Sequence, residues 1–147
     1  CIPPPPPSEA FENADAVLMG RVTSFQREGK FSRVAKLTLL KLWKGERAIA
    51  DEIFTGLNSA SCGFDFVVGK TYVIYASKDE EGKLHTNICT RTRHIDQAGE
   101  DLNFLDQIDP IFNGGDSGCC GSVSGGDVIM AGGVLLFLLR RQRPRVR

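Results

Sequence analysis

The residues of this 147-residue chain best suited to chemistry are five cysteines, Cys1, Cys62, Cys89, Cys119 and Cys120. No two have C-x-x-C spacing, and only His85 and His94 could add imidazoles. That pattern argues against a zinc site, and no metal is expected. Disulfide formation in an oxidising compartment suits the cysteines better. Three of them fall in the part of the chain that reads as folded, so a free thiol or a partner outside the chain is expected. The sequence starts at Cys1 rather than Met, from which we expect a removed secretory signal peptide.

Other motifs imitate active sites without completing one. Gly69-Lys70-Thr71 has the form of the end of a phosphate-binding loop, but the preceding glycine, Gly63, is one position too far away. The segment also runs into a strand rather than the helix such a loop needs. Gly115-Asp116-Ser117-Gly118 has the form of a nucleophilic serine motif, yet it sits in a glycine-rich stretch, and a triad is defined by geometry. His94-Ile95-Asp96 reads as a solvent-facing connection, and Asp79, Glu80 and Glu81 as a solvated turn. No nucleophile, base and oxyanion donor assemble. We therefore read no enzyme and no cofactor.

The elements that must hold these residues follow from periodicity. Residues 61–93 form the centre: two strand-like runs, 70–77 and 83–89, joined by Asp79-Glu80-Glu81-Gly82. Val73, Tyr75 and Ser77 alternate with Tyr72, Ile74 and Ala76, the period of a two-faced strand. Upstream, residues 14–25 read as a strand bent at Gly20. Residues 32–43 form a long strand with neither face cleanly polar, and 49–55 a shorter one. Five consecutive prolines, Pro3 to Pro7, make a stiff extended arm lacking backbone donors. Residues 8–13 then form one helical turn capped by Ser8. Leu102, Leu105 and Ile108 mark an amphipathic helix over 97–108, ended by Pro110. Val17, Val22, Leu37, Leu39, Phe54, Val73, Ile74 and Ile88 are the expected core.

Five antiparallel strands with a long, bent first strand predict an all-β fold, a five-stranded OB-type barrel with a C-terminal helix, over residues 1–110. Residues 111–127 read as a glycine-rich linker. The last segment, 128–147, is an apolar run over 128–139 followed by five of the chain's 18 basic residues. Twelve apolar residues are short against the roughly 20 of a membrane helix. Counting back to Gly118 gives sufficient length, at the cost of including Asp127. A basic cluster after an apolar run places the tail in the cytoplasm and the domain outside. Without those arginines the domain is mildly acidic, which excludes nucleic acid as a partner on charge.

In order and spacing these residues resemble a known family. The start C-I-P-P-x-P, with Ala10-Phe11, Asn13 and Asp15, is similar to the amino-terminal domain of tissue inhibitors of metalloproteinases. Leu42-Trp43-Lys44-Gly45 is similar to that family's aromatic-Lys-Gly turn. Ser61-Cys62-Gly63-Phe64, Gly69-Lys70, Gly82-Lys83-Leu84-His85-Thr86 and Cys89 resemble its central hairpin. The match runs from Cys1 to about Thr92. Bacterial secreted proteins carry a similar shortened module. The tail resembles the carboxy-terminal sorting signals of myxobacterial-type surface proteins, which place a cysteine motif, here Cys119 and Cys120, before an apolar helix and an arginine cluster.

The resemblance implies an OB-type barrel that inhibits zinc metalloproteases. Such inhibitors begin C-x-C; the first cysteine's amine and carbonyl chelate the protease zinc, and the next side chain enters the specificity pocket. The implied contact ridge here is Cys1, Ile2 and Pro3 with Ser59, Ala60, Ser61, Cys62 and Gly63. The two C-x-C cysteines pair in order with the two hairpin cysteines. By its following prolines, Cys1 matches the second of them, which implies a disulfide between Cys1 and Cys89 and leaves Cys62 without its partner. A rival alignment pairs Cys1 with Cys62, leaves Cys89 free and makes Ile2 the pocket residue. Glu12 stands where the family has a third cysteine. Two other readings remain: a surface binding or adaptor domain that keeps the fold without inhibition, and a lipoprotein lipidated at Cys1.

Overall fold

The computed structural model describes residues 3–114. It is mostly β, with a few short helices. Helix α1 (Pro7–Asn13) leads into β1 (Ala16–Glu28) and β2 (Ser32–Lys44). Strands β3 (Glu52–Gly56), β4 (Thr71–Lys78), β5 (Leu84–His85) and β6 (Arg93–His94) follow, then α2 (Gly99–Leu105) and β7 (Phe112–Asn113). β1 pairs antiparallel with both β2 and β4. β2 pairs with β3, β3 runs parallel to β5, and β5 returns antiparallel to β4. The five strands β1, β2, β3, β5 and β4 thus close a ring, consistent with the OB-type barrel expected. β6 adds to β4 and β7 to β2. The sheet therefore takes in Phe112 and Asn113, expected in the linker, and the Gly114 N–H donates to the Leu40 carbonyl at 2.6 Å.

Two apolar clusters explain why β4 and the first residues of β1 are buried on both faces. Leu18, Val22, Leu37, Leu42, Ile53, Tyr72, Ile74 and Leu84 fill the ring. Val17, Trp43, Val73 and Tyr75 point outward and pack with Ala10 of α1 and Leu105 of α2. The alternation Tyr72, Ile74, Ala76 against Val73, Tyr75 thus separates two cores rather than core and solvent. At Gly20 the β1–β2 register slips, next to Met19. A Cβ there would lie 3.0 Å from Leu37 Cδ1, so a side chain at this irregularity would require Leu37 to give way.

Several local expectations need correction. The strand over 83–89 is only Leu84–His85. Beyond it Asn87 turns the chain: its side-chain oxygen accepts from the Cys89 N–H at 2.8 Å and its carbonyl from the Thr90 N–H at 3.2 Å. That local bonding outcompetes the ladder, and Ile88, expected in the core, is 44% exposed. Leu39 is only partly buried against the ring cluster. Residues 47–49 form a 3-10 turn before β3 starts at Glu52. Helix α1 starts at Pro7 with no side-chain cap from Ser8, because proline's fixed φ already suits the first helical position. Helix α2 is shorter than 97–108; a 3-10 turn, Ile95–Gln97, precedes it and 106–108 close it with short-range bonds.

Candidate functional site

The loop after β3 is built around Asn58. Its backbone carbonyl accepts from the Ser61 N–H at 3.1 Å and the Gly63 N–H at 2.8 Å, and its side-chain oxygen from the Ser61 N–H at 3.2 Å. Ser59–Ser61 is thereby wound into a single 3-10 turn. Gly63 passes so close to Gly56 that a Cβ on it would overlap the Gly56 carbonyl. Phe64 N–H then donates to Thr55 Oγ1 at 2.8 Å. Cys62 is exposed at the crest of this loop with a free thiol and a positive φ of 55°. Its carbonyl accepts from the Ile88 N–H at 3.1 Å.

The proline arm is anchored to the same 88–91 turn. Pro3 is exposed, Pro7 buried. Between them the Pro5 carbonyl accepts from Arg91 Nη1 at 2.8 Å. Arg91 is buried and pairs through Nε with Asp101 Oδ1 at 2.5 Å and through Nη2 with Glu100. Tyr75 Oη donates to the same Asp101 oxygen at 2.9 Å. Burial, then the Asp101 charge, pushes the Tyr75 hydroxyl well above the ordinary phenol range, so it stays a donor. Burial disfavours the Arg91 charge, but its hydrogen bonds to Asp101 and Glu100 outweigh that and raise its pKa.

Of the residues proposed for the ridge, 59–63 therefore form one loop tied to Ile88, while Cys1 and Ile2 lie outside the described residues, as do Cys119 and Cys120. Cys89 is disulfide-bonded. The alignment pairing Cys1 with Cys62 and leaving Cys89 free does not survive the free Cys62 thiol. Arg91, Asp101 and Tyr75 were not legible as a unit. One signal was available: Asp101 lies on the same helical face as Leu105 and Ile108, where an acid needs a buried partner.

The false leads resolve physically where they are described. The Gly69 N–H donates to the Val22 carbonyl at 2.7 Å, and Thr71 opens β4, so no phosphate cradle forms. His94 is half-buried rather than solvent-facing; its ring meets Tyr72 edge-on at 5.3 Å, and its Nδ1 accepts from the Asp96 N–H. Among the described residues, no three His, Cys, Asp or Glu side chains converge as a metal site. The serine of residues 115–118 lies outside the described region.

The described residues thus form a mostly β ring with an anchored arm and a braced loop. No family model matches the chain. It is similar to "Metalloproteinase inhibitor 2" of Homo sapiens, 28% identical over 94 residues that cover 56% of this chain and 43% of the human protein. The inhibitor of the same name from Cricetulus longicaudatus is also 28% identical over 94 residues, with 48% of its length covered. The chain thus spans less than half the length of these relatives. The similarity supports a domain of the metalloproteinase-inhibitor type.

Proposed function

We propose that this chain is a metalloprotease-inhibitor module whose contact ridge joins Cys1, Ile2 and Pro3 to residues 59–63. The observation that carries the reading is the similarity to "Metalloproteinase inhibitor 2". Arm and loop being tied to one turn through Pro5–Arg91 and Cys62–Ile88 supports it. The Cys1–Cys89 disulfide belongs to the same proposal, supported by the bonded state of Cys89 and the free thiol of Cys62. The target is a zinc metalloprotease. The test is inhibition of a panel of such proteases by the chain starting at Cys1 and by a form extended with Cys-x ahead of it. We expect stronger inhibition by the extended form, which restores the zinc-facing cysteine and the partner of Cys62. Inhibition by neither form removes the reading.

A second reading, a surface binding or adaptor domain without inhibition, is favoured by the free Cys62 thiol. In the inhibitor pattern that cysteine is bonded to the zinc-facing residue. The extended form separates the two readings. We further propose that the domain lies outside the cell, as a bacterial-type surface module anchored by residues 128–139. The arginines of 140–147 would then face the cytoplasm and Cys119-Cys120 serve processing; the apolar run and basic cluster of the sequence support this.

A further inference from the structure

The proposed inhibition makes no use of the charged pair buried between the arm and α2. Arg91 exposes 5% of its surface and Asp101 none. Desolvating two charges is costly, and apolar residues of similar volume often serve stability as well. Stability alone is therefore a poor reason for this pair. What an apolar side chain could not supply is the third bond of the guanidinium, from Nη1 to the Pro5 carbonyl at 2.8 Å. A proline segment has no N–H of its own. Only its carbonyls can be gripped, and the donor must come from elsewhere.

The geometry of the grip is directional. Arg91 presents a planar fork with donors in fixed relation. Asp101 holds its Nε edge and Glu100 its Nη2, which leaves Nη1 aimed at Pro5. Asp101 is itself held by Tyr75 Oη of β4. A chain of bonds thus runs from the ring strand through α2 to the arm. We propose that Arg91, oriented by Asp101, is a positioning residue that sets the course of the proline arm from the barrel for a partner to meet. The grip stands without the inhibitory reading; the identity of the partner rests on it.

The test uses the full chain with Arg91→Met and Asp101→Asn combined, because Arg91→Met alone strands the Asp101 charge in the interior, whereas an amide at that position is neutral and still accepts from Tyr75 Oη. Carbon-13 relaxation of Pro3 and Pro4 reads the arm directly, and amide exchange in β1 and β4 reports the fold. In the wild type we expect order parameters near those of the strands, about 0.85, and in the double variant below about 0.6, with strand protection kept. Arg91→Lys, whose compact ammonium lacks the planar fork that spans Asp101, Glu100 and Pro5, should fall between. Prolines equally ordered in all three overturn the proposal. Against a zinc metalloprotease that the wild type inhibits, the double variant should be about ten-fold weaker or more. A loosened arm with unchanged inhibition also overturns the positioning role. If neither the wild type nor its Cys-x-extended form inhibits any protease, the inhibitory reading falls, and the proline relaxation still decides the grip.

Discussion

Asp79 shows what a single carboxylate does in a turn made of like charges. Its Oδ1 accepts from the Glu81 N–H at 2.9 Å and the Lys83 N–H at 2.8 Å, and its Oδ2 lies 2.7 Å from His85 Nε2. The Lys83 backbone N–H, above all, holds the Asp79 carboxyl below its ordinary value of 3.8; burial works against this, and His85 and the Glu81 N–H assist. A carboxylate whose folded pKa is depressed stabilises most above its unfolded value, and the contribution disappears as the pH falls through the folded one. The Tm difference between wild type and Asp79→Ala is therefore expected to be largest above about pH 5 and to shrink towards zero in strong acid. A difference that grows on acidification would refute this. The run Asp79-Glu80-Glu81 is legible in sequence as a turn. Which of the three acids organises it is not, because that depends on where the Lys83 backbone and the His85 ring return.

Among the elements, α2 and the turn after β5 carry the clearest contrast. Leu105 is fully buried in the outer cluster with Val17, Val73 and Tyr75, so Leu105→Ala should cost about 2–5 kcal/mol. Ile88 is exposed, and only its backbone N–H serves the Cys62 loop. Ile88→Ser is thus expected to stay within about 0.5 kcal/mol of wild type. Urea unfolding of the two variants checks both figures; equal losses would mean that the outer cluster is not a true second core. The helix was readable because Leu102, Leu105 and Ile108 repeat at helical spacing. The strand over 83–89 misread because alternation continued through Ile88 while Asn87 supplied a competing turn that alternation does not register.

At the scale of the whole molecule, the described residues form one ring with an outer helical layer, and none of their helices is long and apolar enough to cross a membrane. The proposed anchor, residues 128–139, lies outside that region. We expect the full chain, expressed with an export signal, to remain with membranes after alkaline extraction and a version ending at residue 127 to be released. A full-length chain recovered unprocessed in the soluble fraction sinks the anchor. The sequence by itself determined the long strands β1, β2 and β4, the glycine at the irregularity in β1, the proline arm and the charged turn, because alternation, φ restriction and turn chemistry act within a few residues. Tertiary structure decided which face of β4 enters the ring and which meets the helices, since both are apolar. It also decided that Cys62 stands free beside Ile88, and that Arg91 grips Pro5 from 86 positions away with Asp101 behind it. Such bonds depend on how the ring closes, and no local pattern of residues encodes them.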